Sequence, residues 1–143
     1  VSQDYFRLQR DATLGNTDAL VFLLCWTSYC HSIDDLVDEA FNVELLVDTC
    51  MQANAMYSTP FWLANSARLS GIVGMIANAY ADSERWKGGP ELWKSSMADV
   101  LRQAGNEMLL AVAMICGGWR HMRSISLQVR ETAYHEQHEV QHG

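Results

Sequence analysis

Apolar positions recur at three- and four-residue spacings over most of the chain, and no run keeps the alternation of a strand between turn signals. The pattern predicts five or six helices. The first is short, near Asp4 to Thr13, and Gly15 and Asn16 end it. Asn16 or Thr17 caps the second, from about Asp18 to Ala40, by satisfying free backbone amides. Asn42 precedes a third helix, Val43 to Tyr57, which Ser58, Thr59 and Pro60 stop. Phe61 or Asn65 opens a fourth, which runs to about Trp86 before the break Lys87-Gly88-Gly89-Pro90. A fifth runs from Pro90 or Glu91 to Cys116, Gly117 and Gly118 interrupt it, and a last helix from Trp119 fades into a frayed polar tail at 136–143.

Breaks of a few residues favour antiparallel neighbours, so the expected fold is all-α, a single-domain antiparallel bundle over residues 1–143. On the fourth helix Ser66, Ala67, Ser70, Gly71, Gly74 and Ala77 form a side of small residues, where close helix packing is expected. Trp26, Trp62, Trp86, Trp93 and Trp119, with seven Met, are read as core packing.

Composition narrows the picture. A chain of 143 residues with 49% hydrophobic and 19% charged residues is long and apolar enough to bury a core, which excludes a disordered tail. The net charge of -7 argues against general nucleic-acid binding, because phosphate contacts need a basic surface. No apolar run approaches the ~20 residues that cross a bilayer, so no membrane span is expected. The N-terminal segment lacks the charged-then-apolar order of a signal peptide. Cys25, Cys30, Cys50 and Cys116 have no CxxC spacing and lie in apolar helical runs, as reduced thiols in a cytoplasmic compartment would.

The candidate chemistry lies in His31-Ser-Ile-Asp34-Asp35-Leu-Val-Asp38-Glu39. At 100° per residue four carboxylates crowd about one and a half turns, opposite a stripe of Trp26, Tyr29, Ile33, Leu36 and Val37. Like charges that close repel unless a cation or arginines neutralise them, and oxygen-rich clusters suit Mg²⁺. Followed backwards, the same face passes His31, Thr27, Leu24 and Leu20, and a face that begins apolar and ends acidic is expected to line a cleft. The segment Leu20 to Trp26 is apolar on every side, which predicts a central helix.

Partners for the cluster come from later helices. Asn78 and Asp82 are an i, i+4 pair on the fourth, with Glu84 just beyond. Arg102 on the fifth is placed to take a phosphate bidentately, or to join Asp99 and Glu107 in an ion-pair ladder. In the last helix His135 is the one candidate general acid or base, while His135-Glu136-Gln137-His138 is one residue short of the zinc-protease spacing.

Asp34-Asp35-Leu36-Val37-Asp38 resembles the DDLID-like helix of a group of small, mostly uncharacterised helical proteins of bacteriophages and prophages. The likeness continues through Pro60-Phe61, Ala77-Asn78, Val100-Leu101-Arg102, Ile115-Cys116-Gly117-Gly118 and Tyr134-His135-Glu136. It implies a phage origin, the cytoplasm of an infected or lysogenic cell, and attention to Asp34, Asp35, Asp38, Asn78 and Arg102. The usual Trp before the paired aspartates is Ile33 here. The aspartate motif is also similar to that of class I isoprenoid synthases, which hold Mg²⁺ against a diphosphate. Their second metal motif is half met, by Asn78 and Asp82 with Trp86 where a Glu is usual.

Two expectations follow. In the first, Asp34, Asp35, Asp38, Asn78 and Asp82 hold Mg²⁺ or Mn²⁺ while Arg102 binds the phosphate of a small molecule, a nucleotide or diphosphate ester. In the second, the chain is a non-catalytic accessory protein whose acidic helix docks a basic partner or holds a structural ion. Either admits a homodimer.

Overall fold

A computed structural model describes residues 2–142, with side chains as far as residue 133. Its elements are α1 (Gln3–Thr13), α2 (Thr17–Asp38), α3 (Val43–Tyr57), α4 (Pro60–Trp86), α5 (Leu92–Arg102), a 3-10 turn η1 (Gln103–Asn106) and α6 (Glu107–His142). All regular structure among the described residues is helical, and the fold is an all-α helical bundle. Caps fall where short polar side chains stand. Ser2 accepts from Tyr5 N, Asn16 from Ala19 N and Asn42 from Glu44 N. Thr59 does the same for α4, accepting from Trp62 N at 3.3 Å, with Pro60 in the first-turn position that needs no amide proton.

The elements gather into two compact units, Gly15–Ser66 and the pair of segments Val1–Leu14 with Ala67–Gly143. In the 15–66 unit α2 and α3 form an antiparallel hairpin, in which Thr49 Oγ1 donates to the Ser32 carbonyl and Ser32 Oγ donates to Asp48. An aromatic group closes its core. Phe22 packs on Phe61 and Trp62 with ring centroids 5.6 and 6.0 Å apart, and Tyr57 meets Trp62 edge-on at 4.7 Å. Phe22 and Leu23 are wholly buried, but Val21 and Leu24 are about two-fifths exposed, at 42% and 40%. The stretch that is apolar on every side, from which a central helix is expected, is therefore buried on one side and partly wetted on the other.

In the other unit the fifth predicted helix is three pieces. Gly105 weakens the helix, and Asn106 turns its side chain onto local groups, with Nδ2 donating to the Gln103 carbonyl and to Gln103 Oε1. Asn106 Oδ1 accepts from the Tyr5 hydroxyl at 2.7 Å, so α1 holds the break in place. The start also moves, from Pro90 or Glu91 to Leu92. Glu91 sits at the cap position without a capping bond, its carboxylate engaged by Trp93 Nε1 at 3.2 Å and Lys94 at 2.9 Å.

Gly118 reverses the chain within α6. Its φ of 83° and ψ of 172° lie in a region open almost only to glycine. Arg130 Nη1 comes 2.5 Å from Glu107 Oε1, whereas an unbroken helix would separate residues 107 and 130 by about 34 Å. Residues 107–117 and 119–142 are thus the two arms of a helical hairpin. α1 runs in the same direction as the first arm, since Tyr5 meets Asn106 and Leu14 lies against Gly117. It is tied to the second arm where His121 Nε2 donates to the Ala12 carbonyl at 3.1 Å. Leu8, Ala12, Met108, Val112 and Val129 are buried in this unit.

The small-residue side of α4 does not receive a helix at its glycines. Gly71 and Gly74 are exposed, and a Cβ built on either meets nothing within 4 Å among the described residues. Gly74→Ala should therefore stabilise the protein by about 0.5–1 kcal/mol through helix propensity. Gly118→Ala should destabilise it by about 1–3 kcal/mol through backbone strain alone, because nothing described crowds that Cβ. Urea unfolding of the two variants beside the parent checks both signs.

Candidate functional site

The six residues expected to build a metal and phosphate site divide between the units. Asp34, Asp35 and Asp38 are on α2 in the 15–66 unit, and Asn78, Asp82 and Arg102 belong to the other. Asp35 and Asp38 are exposed and Asp34 is half-buried. Asn78 and Asp82 share one exposed face of α4. Among the described residues, no three of His, Cys, Asp and Glu come together as a metal-holding group.

Arg102 has specific partners within its own unit. Its guanidinium pairs with Glu84 and lies over the Tyr80 ring, 5.3 Å from the centroid, with only 16% of the side chain exposed. The Glu84 carboxylate, which Lys87 also approaches, occupies donors that a phosphate would use. Glu107 turns to Arg130 across the α6 hairpin, so the ladder expected along one helix is replaced by ion pairs between segments. Sequence reasoning passed over Glu84 and Tyr80 as partners of Arg102 because their proximity depends on the α4–α5 turn. His135 lies outside the residues whose side chains are described.

The acidic end of α2 has its own physics. Asp34, Asp35 and Asp38 occupy the end of the helix where free carbonyls already carry negative partial charge, and no basic residue stands in the last turn. The helix stops at Asp38, two residues earlier than expected, with Glu39 N–H closing on the Asp35 carbonyl. The face behind the cluster is open as well. Leu24 is 40% exposed and His31 is exposed, so the row from Leu20 to Asp35 borders solvent for much of its length.

Charge is segregated along the chain. Asp18, Asp34, Asp35, Asp38, Glu39, Glu44 and Asp48 fall between residues 15 and 66, and none of the ten Lys and Arg does. The remaining ten acidic residues balance the ten cations, so the whole net charge of -7 resides in the 15–66 unit. Counting charges by segment reveals this from sequence. Beside these carboxylates α3 exposes an apolar row, Val43, Val47 and Met51 at i, i+4 and i+8, with Leu46 next to it and Phe41 before the helix. Met51 is 59% exposed and Phe41 76%.

Between α2 and α3 lies a weakly acidic group of side chains. Burial pushes the Cys30 thiol up from 9.0 to about 12, and the Asp34 carboxylate adds to the shift. Tyr29 is raised above 10.0 by burial first, then by Tyr57, Cys30 and Cys50; Tyr57 is raised by burial and Cys30. No family model, curated protein or solved structure matches the chain.

The raised thiol has a consequence for alkaline stability. The unfolded chain loses the Cys30 proton near pH 9.0 while the folded protein keeps it to about pH 12, so this stability is full below pH 9.0 and is lost as pH rises through that window. Urea midpoints measured in reducing buffer should fall above pH 9, and Cys30→Ala should flatten that slope.

Proposed function

We propose that the chain is a non-catalytic interaction protein whose 15–66 unit docks a basic, amphipathic partner. The observation that carries this reading is the coincidence, in one unit, of seven carboxylates, no Lys or Arg, and an exposed apolar row on α3. Opposite charge steers encounter and fixes register, while apolar side chains supply the contact area. An exposed row of this kind beside ionised groups marks a contact surface more readily than a solvated one. In this reading the resemblance to phage and prophage proteins suggests an accessory role.

The crowding of Asp34, Asp35, Asp38 and Glu39 supports a second reading, a Mg²⁺ or Mn²⁺ site serving a phosphorylated small molecule. One set of measurements separates the two. A synthetic helix of Leu with Lys and Arg along one edge should bind the native protein and bind at least tenfold more weakly when salt is raised from about 50 to 500 mM. Val47→Asp and the pair Asp35→Asn with Asp38→Asn should each weaken it. Absence of binding, or binding indifferent to salt and to these changes, rejects the docking reading. A rise in Tm with Mg²⁺ that Asp35→Ala abolishes, extended by pyrophosphate, supports the metal reading instead.

A further inference from the structure

We infer that the partner seated on the acidic unit is a second copy of this chain, contributing the 119–133 stretch of its α6. This rests on the docking reading above. The stretch presents Trp119, Arg123 and Leu127 at i, i+4 and i+8, with Arg120 beside them, and all four are exposed. Trp119 is 58% and Leu127 71% exposed. The α3 row of Val43, Val47 and Met51 has the same spacing, so both rows extend about 12 Å along their helices. Glu44 and Asp48 flank the α3 row, exposed and one turn apart. The two surfaces therefore match in length, both expose apolar side chains, and their charges are opposite.

Availability of the arginines points the same way. Of the cations on α5 and α6, Lys94 pairs with Glu91, Arg102 with Glu84 and Arg130 with Glu107. Arg120 and Arg123 make no ion pair among the described residues; Arg120 lies 5.8 Å from the centroid of the Trp119 ring. Each copy carries both surfaces, so the contact is head-to-tail. Such contacts propagate into rings or open chains instead of stopping at a two-fold dimer.

Complementation tests this. Sedimentation velocity of the native chain at low salt should show mass rising with concentration beyond a dimer and falling as salt is raised. Val47→Asp removes one surface and Arg120→Glu with Arg123→Glu the other; each variant alone should be monomeric, with helical circular dichroism confirming that it is folded. Mixed, the two variants should form a heterodimer and nothing larger, because only one good pair of surfaces remains. A native chain that stays monomeric at all concentrations while binding the synthetic basic helix overturns the self-assembly inference and leaves the docking reading intact. Variants that assemble as the native chain does also overturn it. Failure of the basic helix to bind, with no self-association, removes both.

Discussion

Segregation of charge is the constraint around which this protein is organised. A helical hairpin with seven carboxylates and no Lys or Arg of its own relies on apolar packing, with hydrogen bonds such as Thr49 to the Ser32 carbonyl, for its cohesion. The Phe22, Phe61, Trp62 and Tyr57 cluster supplies that packing at one end, far along the sequence from Asp34 to Glu39. Where aromatic contact gives way to carboxylates, α2 ends early and the burial of its apolar face fades. The buried thiol of Cys30 marks the boundary, held protonated by lack of water on one side and by Asp34 on the other.

The second unit manages charge differently. Several of its cations pair with acidic partners across turns, as in Arg102 with Glu84 and Arg130 with Glu107, and those pairs span the breaks at Gly88 and Gly118. Gly118 matters most, since its positive φ folds one long helical run into two arms and brings residue 130 back to residue 107. α1 then lies along the first arm, bonded at its start to Asn106 and at its end to His121. The chain's two ends are thereby joined in one unit, with the acidic hairpin inserted between them in sequence.

The helices themselves were legible from periodicity and punctuation. Val43 to Tyr57 was bounded correctly because Asn42 caps it and Pro60 follows closely, both local signals. The reversal at Gly117-Gly118 was visible as a break for the same reason. The interruption at Gln103–Asn106 was missed because Tyr5, about a hundred residues earlier, helps to hold Asn106 out of helical register. At the candidate site the cluster of aspartates was legible as a cluster, while its exposure was not: hydropathy marks Leu24 as apolar but does not tell whether another helix covers it. The glycines of α4 misled for a related reason, since small residues permit close approach without requiring a neighbour.

Arg102 shows most clearly how the fold adds partners that sequence spacing does not reveal. In sequence its guanidinium can take a phosphate bidentately or join Asp99 and Glu107 in an ion-pair ladder. In the fold its guanidinium is fixed between a carboxylate and an aromatic face, two contacts that neutralise and orient it for structure. The aspartates of α2 share a helix end that disfavours anions, in a segment whose own sequence carries no Lys or Arg. In the proposed docking reading a partner meets the unbalanced charge of α2 and α3, while pairs such as Arg102 with Glu84 and Arg130 with Glu107 tie segments of the other unit together.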